Sequence, residues 1–182
     1  MISSSNQQEL LLRLSETAFQ GNNDIPSGDS LLVIDADHAA RQTMARLLTG
    51  EGYQVRTAES GDSALSQLRE SLSDLVLITI ASLGPDPFEL LRAIRRQFPE
   101  PLLPVIVIAD STQSSSEVTA FRAGASDFLT QPFEAEILLT RIALRLQHRL
   151  TYAELQQSQQ RYALVAQGAQ TGLWDLDILR KQ

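Results

Sequence analysis

Three short and wholly apolar runs stand out along the chain, at residues 31–34, 75–78 and 105–108. Apolar runs without polar alternation are typical of strands that are covered on both faces, as in a parallel sheet. Two weaker stretches, residues 53–57 and Asp127–Thr130, predict two more strands. The hydrophobic pattern therefore predicts a parallel sheet of five strands.

Helix-compatible segments follow each of these strands. They cover residues 41–49, with Gly50 as the expected C-cap; residues 62–70; a helix opened by Asp86, Pro87 and Glu89; a helix opened by Ser114 and Glu117 and ended by Gly124; and residues 135–167. Asp followed by Pro and then Glu is a typical helix start. A β-α order repeated five times predicts a doubly wound α/β domain with helices on both faces of the sheet.

Composition excludes several classes of function. The chain has 182 residues, no cysteine, two histidines and a formal net charge of −7. Disulfides, cysteine nucleophiles and histidine-rich metal sites are therefore not expected. The acidic balance argues against binding to nucleic acid, and no apolar run approaches the roughly 20 residues of a membrane span. These features predict a soluble cytoplasmic protein.

Four sequence stretches, read together, resemble the response-regulator receiver domain. They are LLVIDAD, SDLVLITIASLGPDPFELL, PVIVIAD and AGASDFLTQPF, in this order within residues 30–148. The resemblance implies the flavodoxin-like strand order 2-1-3-4-5. It also implies a pocket at the carboxyl ends of the strands, where ligands of such sheets bind. In that pocket an aspartate accepts a phosphoryl group beside Mg²⁺.

The residues at the positions of this pocket depart from the family pattern. The first acid is present as Asp35, but the second acid is Ala36 and the phosphoacceptor is Thr79. The switch hydroxyl is replaced by Ala109, and the lysine by Gln131. Mg²⁺ prefers carboxylate oxygens, and phosphoryl transfer needs neutralising charge. We therefore expect a degenerate pocket with no catalytic residue, cofactor or metal.

The remaining polar and aromatic residues near the pocket have structural interpretations. Asp35 is expected to accept a hydrogen bond from Gln131 or from a backbone N–H. Asp37 is expected to cap the first helix, and Asp110 to be a solvated loop acid. Phe128 stands where receivers carry a switching aromatic, but we expect it to be simply packed.

Two groups of arginines are expected on solvated helix faces. They are Arg92, Arg95 and Arg96, and Arg141, Arg145 and Arg149. The second group recurs every four residues and so forms a stripe on one helix face. Such a stripe is a candidate surface for an acidic partner.

The segments outside residues 30–148 are expected to serve association and coupling. Residues 1–29 predict a short amphipathic helix and a loop, and residues 149–167 a signalling helix. The 3-4 spacing of four residues predicts a seam for homodimerisation and coupling. The fourth and fifth helices, the linker helix and the N-terminal helix are the candidate dimer surfaces. The seam residues are Leu139, Ile142, Leu146 and Ala153, and those of the N-terminal helix are Leu10, Leu11 and Leu14.

The last stretch, SQQRYALVAQGAQTGLWDLDILRKQ, resembles the opening of a PAS sensory domain. We expect residues 168–182 to be the start of such a domain, cut short, with a capping strand of the first domain as the alternative. A receiver joined by a helix to PAS implies a bacterial two-component signalling protein. Its output would be a GGDEF or EAL domain acting on cyclic di-GMP, which we favour, or a histidine kinase.

These expectations combine into a non-enzymatic regulatory module. It would act by protein–protein contact and dimerisation, independently of phosphorylation, and pass a signal through the helix to PAS and output domains. Two alternatives stay open. One is a phosphoreceiver of a phosphorelay with unorthodox chemistry, and the other is a small-molecule sensor that uses the emptied pocket.

Overall fold

The structure is a computed structural model that describes residues 28–83, 86–100 and 102–178. Its centre is a parallel sheet of five strands in the order β2-β1-β3-β4-β5, which confirms the predicted fold class and strand order. The strands are β1 (Ser30–Ile34), β2 (Gln54–Ala58), β3 (Leu75–Thr79), β4 (Val105–Ala109) and β5 (Asp127–Thr130). The expected N-terminal helix, with Leu10, Leu11 and Leu14, lies outside the described residues.

Within the described residues, five α-helices surround the sheet. They are α1 (His38–Gly50), α2 (Gly61–Glu70), α3 (Pro87–Gln97), α4 (Glu117–Ala123) and α5 (Ala135–Ile178), with short 3-10 turns at Ile80–Ser82 and Ser111–Ser116. The start of α3 is the predicted one, since the Asp86 side chain accepts a hydrogen bond from the N–H of Phe88 at 3.1 Å. Helices after the first and fifth strands cover one face of the sheet, and the other three cover the opposite face.

Two predicted helix ends are wrong by a few residues. Gly50 belongs to α1, and the C-cap is Glu51, whereas the left-handed residue is Gly52 with φ of 92°. The N-cap of α4 is Ser116 rather than Ser114, because a 3-10 turn occupies the preceding residues. Exact helix ends depend on local hydrogen bonds that the spacing of apolar residues does not resolve.

Two apolar cores lie on opposite faces of the sheet. Successive side chains of a strand point to opposite faces, so each wholly apolar run supplies both cores. The first core joins the sheet to α2, α3 and α4, and the second joins it to α1 and α5. The second core includes Ile142 and Leu146 of α5, and Leu139 packs against it.

The predicted dimerisation seam of α5 is therefore occupied from within the chain. Ile142, Leu146 and Ala153 are buried, and Leu139 is partly buried against the sheet. A 3-4 spacing identifies a helix face that must be covered, but not which surface covers it. Here the sheet covers the first three residues and the loop residue Leu102 covers Ala153, so the expectation that these four residues face another copy is corrected.

The arginines of α5 also lie elsewhere than predicted. Arg141 and Arg145 bind the carboxylate of Asp127 at 2.7 and 3.0 Å. Arg149 is buried and binds Asp74 at 2.6 Å. The four-residue period keeps all three arginines beside the buried face of the helix, where acids of the sheet neutralise them. The expectation of an exposed stripe open to an acidic partner is thus wrong.

All three arginines on α3 were predicted to be solvated. Arg92 and Arg96 are exposed, as predicted, but Arg95 is partly buried. Its guanidinium donates to the carbonyls of Leu103 and Gly124, at 2.7 and 2.5 Å, and to the hydroxyl of Ser126. Burial lowers the pKa of Arg95 to about 10. This side chain joins α3 to the loops that precede β4 and β5.

Helix α5 is longer than predicted, with 44 residues and a length of about 66 Å at 1.5 Å per residue. We expected it to end near residue 167, but its backbone is helical through Gly168 as far as Ile178. A single glycine costs a helix about 1 kcal/mol, and the flanking Ala166, Gln167 and Ala169 are good helix formers. The PAS-like start stays a prediction.

We predict that Gly124→Ala lowers the free energy of unfolding by about 2–4 kcal/mol, because two costs add there. Gly124 has φ of 104°, and a Cβ atom would lie 2.5 Å from Cγ of Arg95. Gly52→Ala is the matched control: it has φ of 92° and nothing within 4 Å of the new atom, so its cost is about 1–2 kcal/mol. Equal losses in urea unfolding of the two variants would contradict the role of Arg95.

Candidate functional site

A cleft opens where the carboxyl ends of β1, β3 and β5 meet, with a volume of about 630 Å³. It brings together three of the predicted pocket residues: Asp35, Thr79 and Gln131. Ala36 and Ala109 are not among its lining residues. The other lining residues are Ala40, Thr43, Met44, Leu47, Asp110, Ser111, Pro132, Phe133 and Ala135.

Asp35 holds the turn between β1 and α1. Its carboxylate accepts a hydrogen bond from the N–H of Asp37 at 2.9 Å, and its own N–H donates to the carbonyl of Ala58. The side chain is almost wholly buried. A backbone N–H is one of the two partners expected for this carboxylate, so the geometry is that of a structural acceptor.

Asp37 caps α1. One of its carboxylate oxygens accepts hydrogen bonds from the N–H groups of Ala39 and Ala40, at 2.7 and 3.0 Å. These two backbone hydrogen bonds lower the pKa of Asp37. An acid that satisfies the start of a helix in this way is not a substitute for the missing second acid at Ala36.

Arg41 was not anticipated from the sequence. Its guanidinium is buried, donates to the backbone carbonyl of Asp35 at 2.5 Å, and contacts Nδ1 of His38 at 3.2 Å. It therefore places positive charge at the backbone of the β1–α1 turn. The sequence shows only that Arg41 lies near the start of α1. Its position along the helix does not tell whether the side chain is buried or exposed.

Thr79 and Gln131 face the cleft from two other strands. Thr79 is the last residue of β3 and half-buried, and Gln131 follows β5 and is exposed. The N–H of Gln131 donates to the carbonyl of Ala109 at 2.8 Å, and the Gln131–Pro132 peptide is cis. Ala109 itself is wholly buried in the first core, so no hydroxyl approaches the cleft from that position.

Asp110 is a second carboxylate on the cleft. It accepts hydrogen bonds from the hydroxyl of Thr112 and from the N–H groups of Thr112 and Gln113. These hydrogen bonds, that of the hydroxyl first, lower the pKa of Asp110. Asp110 is half-buried, and its carboxylate is occupied by the following 3-10 turn.

The donor set does not fit the magnesium ion that an active receiver holds. A carboxylate is present at the end of β1, but Ala36 and Thr79 stand where two further carboxylates would be needed. Within the part of the chain that the structure describes, no three acidic, histidine or cysteine side chains lie close enough to hold a metal. The apolar wall of the cleft consists of Met44, Leu47 and Phe133 with neighbouring aliphatic groups.

Phe128 lies away from this cleft, in the first core, and is 6% exposed. The structure thus places it as a packed aromatic.

The described helices include none long and apolar enough to cross a membrane.

The geometry agrees with comparison to known proteins. Residues 31–143 match the family described as the response regulator receiver domain. This chain belongs to that family. The regulatory protein AfsQ1 of Streptomyces coelicolor is 35% identical over 113 residues, which are 62% of this chain and 49% of that protein. The nitrogen assimilation regulatory protein NtrX of Azorhizobium caulinodans is 32% identical over 144 residues, 76% of this chain and 31% of that protein.

A solved receiver domain shows the same fold. The crystal structure of the receiver domain of NtrX from Brucella abortus has a TM-score of 0.59 and 34% identity, and covers 64% of this chain and 98% of that one. The chain spans half or less of the length of the two regulators named above. The receiver domain is a signalling module of two-component systems, and it is generally non-enzymatic.

We predict that Asp35→Ala lowers the free energy of unfolding by about 1–3 kcal/mol, because the N–H of Asp37 loses its acceptor. Asp35→Asn keeps an oxygen acceptor and is expected to cost less than about 1 kcal/mol. Asp37→Ala, which removes only the helix cap, is the reference at about 1 kcal/mol. If both Asp35 variants had the stability of the unaltered chain in chemical unfolding, the hydrogen bond from the N–H of Asp37 to this carboxylate would not stabilise the fold.

Proposed function

We propose that this receiver domain works without aspartyl phosphorylation, as a module for protein–protein contact and dimerisation. The observation that carries the proposal is Thr79 at the end of β3, where the phosphoacceptor aspartate of the family would stand. A hydroxyl does not form an acyl phosphate. Gln131 brings no positive charge to neutralise a phosphoryl group, and transfer depends on such neutralisation.

The surface offered for dimerisation lies on the outer faces of α4 and α5. Five large apolar side chains of the described residues are exposed: Val118, Phe121, Ile137, Leu144 and Leu155. Ile137 and Leu144 are seven residues apart, and Leu155 follows eleven residues later. Residues at intervals of seven and eleven lie on the same face of a helix, so these three side chains share one face. This face is opposite to the one that packs on the sheet, so a second copy can reach it.

The long helix α5 supports coupling to further domains. It packs in the second core as far as Leu146, and its backbone continues without a break to Ile178. A change in how two copies of α5 pair would therefore reach the C-terminal end directly. We propose a PAS domain there, followed by a GGDEF or EAL output acting on cyclic di-GMP, with a histidine kinase as the alternative, all in the cytoplasm and without nucleic-acid contact by the receiver.

One other function has a specific observation in its favour. The cleft of about 630 Å³ combines an apolar wall with hydroxyl and amide groups, and the emptied positions leave it without a lysine. A volume of this size is in the range of small-molecule sites. Small-molecule sensing is therefore the second candidate, and a phosphoreceiver with unorthodox chemistry is the third.

We predict that beryllofluoride with Mg²⁺, a mimic of the phosphoryl group, produces no change in amide NMR shifts around the cleft. The matched control is the variant with Ala36→Asp, Thr79→Asp, Ala109→Thr and Gln131→Lys, which restores the family's pocket residues. We expect this variant to gain a saturable shift change.

A saturable response of the unaltered chain at millimolar Mg²⁺ would overturn phosphorylation independence. A thermal shift with a small metabolite but not with beryllofluoride would instead favour the sensing function. Either result is obtained with the same sample and needs no partner protein.

We predict that Leu155→Glu or Leu144→Glu weakens self-association at least tenfold, because each places charge in a face that pairs with a second copy. Light scattering over a concentration series measures the effect. Gln157→Glu adds the same charge at an exposed residue on the other side of the helix and should leave the molar mass unchanged. A chain that stays monomeric at every concentration would contradict dimerisation as its function.

A further inference from the structure

A buried arginine ties α5 to the amino edge of the sheet, the edge opposite to the cleft. Arg149 is 5% exposed, and its guanidinium reaches two loops. One nitrogen binds the carboxylate of Asp74 at 2.6 Å, and Nε donates to the carbonyl of Leu102 at 3.0 Å. Asp74 directly precedes β3, and Leu102 lies in the loop before β4. One side chain thus joins the helix to the starts of two central strands.

Asp74 extends this contact to a third strand. Its second carboxylate oxygen accepts a hydrogen bond from the N–H of Ser30, the first residue of β1, at 2.6 Å. The backbone N–H of Asp74 donates to the carbonyl of Ser30 at 2.7 Å. The helix, the loop before β3 and the entry of the chain into β1 therefore share one hydrogen-bonded group.

A second acid lies beside this pair. Burial, and then the neighbouring Asp74, raise the pKa of Asp29 to about 6, against a smaller opposing effect of Arg149. Tyr53, whose pKa is raised by burial and then by Asp29 and Glu51, lies on the same side. Of the two acids, Asp74 makes the direct contact with the guanidinium of Arg149.

A small apolar cluster shields the arginine from water. It consists of Leu102 and Ala153, with Leu72, Leu150 and Tyr152 packed against them, and Leu72 also packs against the first core. Leu146 is the last residue of α5 in a main core. Beyond Ala153, residues 154–159 are exposed or partly exposed. The arginine and its cluster are therefore the last attachment of the helix in this stretch.

We propose that Arg149 and Asp74 form a latch that sets the residue at which α5 leaves the receiver body. With the latch closed, the helix is held as far as Ala153. With it open, the last firm contact is Leu146, seven residues earlier, which moves the leaving point by about 10 Å along the helix.

The latch deepens the proposed phosphorylation-independent coupling and rests on it. The cleft lies at the carboxyl ends of the strands and the latch at their amino ends, so a signal at the latch bypasses the missing phosphoacceptor. The entry of the chain at Ser30 and the loop at Leu102 are the two parts of the body that touch the latch. A partner or chain segment that displaces either one would change the length of free helix that the output domains receive.

The test is hydrogen exchange of backbone amides in the full chain. We expect Arg149→Met to speed exchange at least tenfold in residues 147–153, because an apolar side chain of similar length keeps the packing but not the two bonds. Exchange in residues 138–146 should stay within twofold of the unaltered chain. Asp74→Asn should loosen the same residues, and the double variant should be no looser than Arg149→Met, since coupled residues are not additive.

Arg145→Met is the matched control. It removes an arginine of the same helix that binds Asp127 and not Asp74, so residues 147–153 should keep their protection. If Arg149→Met does not fold, Asp74→Asn carries the test, because the asparagine still accepts from Ser30 and only the ion pair is lost.

Unchanged protection of residues 147–153 in both Arg149→Met and Asp74→Asn would overturn the latch. Equally fast exchange in the sheet and throughout α5 would also overturn it, since Arg149 would then be a general stabilising residue. All variants are compared at one concentration without beryllofluoride. The result therefore stands apart from the beryllofluoride and light-scattering experiments that test the proposed function.

Discussion

A parallel sheet needs cover on both faces, and the rest of this structure follows from that requirement. The three central strands each contain at least four successive apolar residues, so each contributes side chains to two cores. Five helices supply the cover. The most regular apolar stripe of α5 faces the sheet, because this helix fills much of the second core. The surfaces left for other molecules are those that this packing does not use.

The same architecture places a pocket at the carboxyl ends of the strands whether or not chemistry takes place there. In this chain the acid at the end of β1 is present, and the acids along this edge are held by backbone hydrogen bonds. Asp35 and Asp37 support the turn into α1, and Asp110 supports the turn after β4. The cleft therefore combines a partly apolar wall with the two carboxylates of Asp35 and Asp110.

Ion pairs hold α5 to the side of the sheet where the strands begin. Arg141 and Arg145 share Asp127 at one side of the helix, and Arg149 reaches Asp74 at the amino edge. A buried ion pair adds little net stability compared with apolar packing, but it fixes one geometry, because an unpaired buried charge is strongly unfavourable. These pairs therefore set the register of α5 against the sheet. The helix is at once part of the core and the element that leads out of it.

The amino-acid sequence by itself determined the class of fold, the strands to within a residue, the start of α3 and three of the residues that line the cleft. Apolar runs, capping residues and family motifs are local signals. They can be recognised in the sequence because each depends only on residues that are close together along the chain. Which surface covers a helix face is a long-range question. Leu139, Ile142 and Leu146 have the spacing of a seam in either case, and only the tertiary structure decided that the sheet fills it. Arg141 and Arg149 likewise look exposed until Asp127 and Asp74, distant in sequence, are brought beside them. Pairing between charges far apart along the chain is set by the fold, since no local spacing encodes it.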